Sequence, residues 1–113
     1  MVEIIESFLL GLERPLILWI ISQKPIHGYG IIKEMKRLIG IELKPGTLYP
    51  FLHNLEKMGF VAGKWIREDG RSIKCYYLTS KGEALLNKIR DSFKRSFKEI
   101  IMDFIENRKR VAN

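Results

Sequence analysis

Lys44-Pro45-Gly46-Thr47-Leu48-Tyr49-Pro50-Phe51-Leu52-His53-Asn54-Leu55-Glu56-Lys57-Met58-Gly59 reads as a helix with two unlike faces. It opens at Lys44-Pro45-Gly46-Thr47 and ends near Gly59. Leu48, Phe51, Leu52, Leu55 and Met58 recur with the helical period and form one apolar stripe. Gly46, Tyr49, Pro50, His53, Asn54 and Lys57 face the other way. Pro50 removes one backbone bond and is expected to bend the helix.

Upstream, a second amphipathic helix is expected from Gly28 to Ile39. It carries Ile31, Ile32, Met35, Leu38 and Ile39 on one side, and Tyr29, Lys33, Lys36 and Arg37 on the other. Gly40 ends it, and Lys24-Pro25-Ile26-His27-Gly28 breaks the chain before it. An earlier helix is expected from Arg14 to Ser22, because Pro15 suits a first helical turn. Residues 1–13 then form a separate arm or short helix. Leu16, Ile17, Leu18, Trp19, Ile20 and Ile21 leave the Arg14–Ser22 helix no polar side, so it must be buried on several sides.

Downstream, strands are expected at Phe60–Ile66 and Ile73–Thr79. The Asp69-Gly70 pair between them is a hairpin signal, since both residues tolerate positive φ. Ser80-Lys81-Gly82-Glu83 matches a capping box. It opens a last helix reaching near Arg108, lined by Leu85, Leu86, Ile89, Phe93, Phe97, Ile100, Ile101, Phe104 and Ile105. The fold class is mainly α with a small β-ribbon: a winged helix-turn-helix over residues 14–79, then a long C-terminal dimerisation helix and basic tail over residues 80–113. In such a fold the third helix enters the major groove of DNA. The terminal helix exceeds what a winged-helix core needs, and a second copy of the chain can bury its aromatic stripe.

The 113 residues suit one domain. The net charge of +7 favours an anionic partner, with double-stranded DNA first. The charge is uneven: residues 1–60 hold 7 Lys/Arg against 6 Asp/Glu, and residues 61–113 hold 13 against 7. The longest apolar run, Pro15 to Ile21, falls short of a membrane span, and the acidic start Met1-Val2-Glu3-Ile4-Ile5-Glu6 is no secretory leader. A cytoplasmic protein with no membrane role is expected. The single cysteine, Cys75, excludes an internal disulfide and a multi-cysteine metal site. Two histidines, His27 and His53, show no ligand or nucleophile–base spacing, and no phosphate-cradling glycine loop occurs. No cofactor, metal or catalytic residue is expected, and the protein is read as a non-enzyme.

Three blocks of residues resemble the PadR family of transcriptional regulators. They are Pro25-Ile26-His27-Gly28-Tyr29-Gly30-Ile31; Pro45-Gly46-Thr47-Leu48-Tyr49-Pro50, continuing to Leu52, Leu55, Glu56 and Gly59; and Gly70-Arg71, Lys74, Tyr76, Leu78-Thr79 and Gly82. The second block is the specific one. The chain departs from the family pattern at Cys75, where the first of two adjacent tyrosines is usual. It departs also at Lys44, where a small residue often stands, and at Ile73, where a basic one is common. The resemblance implies a homodimeric repressor on an inverted repeat, paired through its terminal helices. It also implies release of DNA by a small hydrophobic or aromatic effector.

Tyr49, Thr47 and Gly46 lead the expected DNA contacts: two hydroxyls, and a glycine that lets backbone approach phosphate at a helix N-terminus. His53 and Asn54 lie one turn further along, and asparagine can pair with adenine. Tyr29, Lys33 and Lys44 are expected on phosphate, as are Arg71 and Lys74, with Arg67, on the wing. Leu16, Trp19, Ile20, Leu86, Ile89, Phe93, Phe97, Ile100 and Phe104 are expected at the dimer interface, and Trp19 also marks the candidate effector pocket. Trp65 is read as shielding the ribbon, and Arg108-Lys109-Arg110 as a solvated tail. A protein-interaction module that keeps only the fold and a nonspecific architectural DNA binder are the competing readings.

Overall fold

The structure, a computed structural model, describes residues 2–109. In chain order it runs α1 (Val2–Gln23), β1 (Ile26–His27), α2 (Gly28–Ile39), α3 (Pro45–Lys57), β2 (Val61–Glu68), β3 (Arg71–Leu78) and α4 (Ser80–Ser92). A π-helical turn (Phe93–Phe97) and α5 (Lys98–Ile105) complete it. This is a three-helix core with a β-ribbon wing and a terminal helical extension.

The expected break at Glu13-Arg14-Pro15 does not occur. α1 is one helix of 22 residues with Pro15 inside it, and residues 2–13 are its first half rather than a separate arm. Pro15 deprives the helix of the bond to the Gly11 carbonyl, but burial of the turns that follow holds it together. Ile17, Leu18, Ile20 and Ile21 are buried, and Leu16 and Trp19 pack partly against the same core.

α2 occupies the expected residues. Gly40 ends it with a left-handed φ of 69°, its N–H donating to the Lys36 carbonyl at 2.9 Å. Ile31 and Met35 are fully buried, whereas Leu38 and Ile39, expected on the inner side, are exposed at its end. On α3, Leu48, Leu52 and Leu55 are buried and Phe51 partly so, while Met58 caps the helix in solvent. These residues join those of α1 and α2 in one core, with Val61, Tyr76 and Leu86 closing it.

β2 and β3 pair from Val61↔Leu78 to Glu68↔Arg71. Asp69 (φ 53°) and Gly70 (φ 75°) form the expected two-residue turn, both left-handed as the twist of a hairpin requires. The third strand was not expected. Ile26 and His27, read as a breaker, pair with Tyr76 and Cys75, so the sheet order is β1-β3-β2. The cap of α4 also sits one residue earlier than expected. Thr79 Oγ1, not Ser80, accepts from the Gly82 N–H at 3.1 Å and donates to the Gly59 carbonyl at 2.6 Å. Thr79 ends the strand in extended backbone, which is the conformation an N-cap needs.

The terminal helix is interrupted by its π turn, and neither that turn nor α5 has a buried residue. Among the described residues no helix is long and apolar enough to cross a membrane.

Leu52 has no exposed surface and sits at the centre of α3's inner stripe. Leu52→Ala should lower unfolding stability by about 2–5 kcal/mol, read from urea denaturation midpoints.

Candidate nucleic-acid interface

Burial of Leu48, Leu52 and Leu55 turns the opposite side of α3 outward. Gly46, Thr47, Tyr49, Pro50, His53, Asn54 and Lys57 are all exposed. Lys44 is the N-cap and makes no side-chain cap, so its ammonium is not committed to the helix. A side chain at Gly46 would meet nothing within 4 Å, so the protein's own packing does not demand glycine there.

Tyr49 has a second partner. Its ring lies against Gly28 at the start of α2, where a Cβ would come within 2.5 Å of the phenol oxygen. The bare backbone of Gly28 thus lets α3 and α2 approach. Tyr29 is exposed on α2, with the Lys33 ammonium 5.5 Å from its ring centroid and the His27 ring at 6.4 Å. Among the described residues Lys33, Lys44, Arg67 and Arg71 have no carboxylate within ion-pair distance. The other two bases of α2 are engaged, Lys36 with Glu42 at 3.3 Å and Arg37 with Glu34 at 2.8 Å. Hydrogen bonding to Arg37 holds the Glu34 carboxyl below its ordinary range.

Lys74 behaves differently from the other wing bases. Its ammonium reaches back from β3 to Glu56 of α3 at 2.7 Å, with side-chain exposures of 28 % and 33 %. Its chain crosses Gly63, where any Cβ would collide with it. Its Nζ stands 5.3 Å from the Tyr76 ring centroid. In the free chain Lys74, expected on phosphate, thus braces the wing against the helix, its charge paired with Glu56. The Glu56 hydrogen bond holds the Lys74 ammonium above its ordinary pKa, and burial pushes the Tyr76 phenol up.

A family model described as the transcriptional regulator PadR-like family matches residues 17–88. The chain belongs to the PadR-like family of transcriptional regulators. This PadR-like chain is 33 % identical to a transcriptional regulator of Mycobacterium tuberculosis over 80 residues, 71 % of this chain and 74 % of that protein. It superposes on a crystal structure from Streptococcus mutans with a TM-score of 0.72 at 35 % identity, covering 89 % of this chain and 92 % of that one. A PadR-like transcription factor from Bacteroides fragilis gives 0.73 at 25 % identity, covering 88 % and 97 %. Regulators of this family bind DNA and are not enzymes.

The remaining expected sites of the PadR-like chain separate into core and surface. Ile20 and Leu86, expected at a dimer interface, are buried within the single chain, and Leu16, Trp19 and Ile89 are partly buried against the same core. Phe93, Phe97, Ile100 and Phe104 are exposed, Phe104 at 84 %. Trp19 lines a cavity of about 280 Å³ between α1 and α2, with Lys24, Glu34, Arg37 and Leu38. All of these lining residues belong to α1, α2 and the segment between them in one chain. Of the basic tail, Arg108 pairs with Asp103 and Glu106, and Arg110 lies outside the described residues.

Glu56 and Gly63 are the members of this region that sequence reasoning gave no role. The one legible signal was that Glu56 is the only acid in α3.

Lys74 and Tyr76 both hold their protons more tightly in the folded chain than at their ordinary values of 10.5 and 10.0. Their stabilising contribution is therefore complete below pH 10.0 and is lost as pH rises through the folded values. The urea midpoint should fall on the alkaline side of that point, measured from urea denaturation across about pH 8 to 11.

Proposed function

We propose that this chain is a homodimeric repressor that sets the outer face of α3 in the major groove at each half of an inverted repeat. The observation that supports this most is the exposed row Gly46, Thr47, Tyr49, His53 and Asn54, flanked by Lys33, Lys44, Arg67 and Arg71, which have no carboxylate within ion-pair distance. Thr47, Tyr49, His53 and Asn54 present hydroxyl, imidazole and amide groups to phosphates and base edges. Gly46 brings backbone close to a phosphate at the helix N-terminus. Lys44, Lys33 and Tyr29 hold the backbone beside α3, and Arg71 and Arg67 hold it at the wing. Lys74 contributes by fixing the wing against α3 through Glu56.

A second copy covers the exposed aromatic stripe of the terminal helices and the exposed Val2, Ile4, Ile5 and Phe8 of α1. Apolar surface of that extent on a small chain favours an isologous partner. An effector of small, apolar, aromatic character enters the Trp19 cavity. It releases DNA to the degree that it binds one dimer geometry better than the other.

Fluorescence anisotropy with duplex DNA from upstream of the protein's own gene, against a scrambled duplex, at several salt concentrations, tests the reading. Preference by roughly a thousandfold, saturating at one dimer per site, is the expected result. Equal, steeply salt-dependent binding would favour an architectural binder, and no binding at low salt an interaction module. Arg71→Ala should flatten the salt dependence by about one unit and weaken all duplexes alike. Lys74→Met should weaken binding with the salt slope unchanged.

Phe97→Asp combined with Phe104→Asp should convert the dimer to monomer in sedimentation, with the unfolding behaviour of the winged-helix core retained. Persistence of the dimer would place its interface elsewhere.

A further inference from the structure

Trp65 stands on the face of the wing turned toward α3. Alternate residues of a strand share a face. Trp65 therefore goes with Val61, which is buried, and with Gly63, over which Lys74 crosses to Glu56. Arg67, two residues nearer the tip, shares that face. Trp65 is nevertheless 67 % exposed. The Lys74 ammonium beside it, 6.0 Å from its ring centroid, is held by Glu56. The indole thus shields little of the ribbon, contrary to the sequence-based expectation.

Single exposed apolar side chains are ordinary on protein surfaces. The position of Trp65 sets it apart. It stands on β2 between Gly63, beside Glu56 of α3, and Arg67 nearer the tip, about 10 Å along the strand from the closing pair of the turn. With α3 in the major groove and the tip arginines on backbone or minor groove, a strand of the duplex passing from helix to wing runs past Trp65. The cation beside the indole, Lys74, is already paired with Glu56, so the ring rather than a free charge faces the strand at that point. The apolar part of the strand at that point is its deoxyribose.

We propose that Trp65 packs its indole against the sugar-phosphate strand crossing between α3 and the wing, and supplies an apolar rather than ionic part of the DNA interface. This rests on the reading that α3 and the wing straddle the duplex. It adds a contact that strengthens binding to all sequences without adding to its salt dependence.

The probe is a duplex selected from a random library by the wild-type protein, with an unselected duplex of equal length beside it. Acrylamide quenching of tryptophan emission is measured free and bound, with Trp65→Phe supplying the Trp19 signal alone. Trp65 should be readily quenched in the free protein and protected in the complex. Trp65→Ala should weaken both duplexes by about tenfold, the scale of burying a large apolar side chain, at unchanged salt slope. Trp65→Phe should keep most of the affinity. Unfolding midpoints of both variants, compared with the wild type, show whether the chain stays folded, and the wild-type quenching result needs no variant.

A bound duplex with Trp65 still freely quenched would overturn the proposal, as would Trp65→Ala binding like the wild type. Loss of binding in Trp65→Ala with a flatter salt slope would also overturn it, since the ring would then act by placing a cation. If no duplex is selected at all, the DNA reading of α3 and the wing fails first, and this proposal with it.

Discussion

The burial of Leu48, Leu52 and Leu55 fixes how α3 is turned about its own axis, and the presentation of every candidate contact depends on that. Each residue of a helix is rotated by a fixed angle from the last. Three inner leucines therefore dictate which side chains point out. Turning α3 by one position would carry a leucine into water, at a cost of about 1.5–3 kcal/mol. It would also press histidine, asparagine or lysine against the apolar core. α1 supplies the surface that makes this burial worthwhile, and the burial of Ile17, Leu18, Ile20 and Ile21 explains why it runs through Pro15 unbroken.

The wing is tied to that helix by independent means. A two-stranded ribbon alone is marginal in water. Here β1 adds a third strand, Val61 and Tyr76 enter the core, and Lys74 joins Glu56 across 18 positions of sequence. Gly63 leaves room for the lysine chain, as Gly28 leaves room for the Tyr49 ring. Both glycines serve a close approach between elements. Helix and wing therefore present one surface of defined shape.

Net charge is a poor guide to where that surface lies. α2 carries three lysine or arginine residues besides its aromatic contact, yet two of them pair with neighbouring acids. Such exposed pairs add little stability, but they remove those charges from the local field. Lys33, Lys44, Arg67 and Arg71 keep theirs. The excess of positive charge lies in residues 61–113, while the exposed polar row belongs to α3, in the nearly neutral half.

Much of the fold was legible in the chain. The bounds of α2, the inner stripe of α3 and the Asp69-Gly70 turn follow from punctuation and period. These are local, since neighbouring residues alone set backbone preference and helical face. The outward row Gly46, Thr47, Tyr49, His53 and Asn54 was legible for the same reason. What stayed hidden depends on partners distant in sequence. A two-residue strand at Ile26–His27 has no period of its own and exists because β3 offers an edge. The continuation of α1 through Pro15 depends on burial, which outweighs one lost backbone bond. The fate of Lys74 depended on a carboxylate in another element and a glycine between them, and the exposure of Trp65 on how far the core extends under the ribbon. Patterning in the chain determined the elements and their inward faces. Tertiary packing decided which charges are spent inside the protein and which stay available outside, because ion pairing and burial depend on distances that only the folded chain sets.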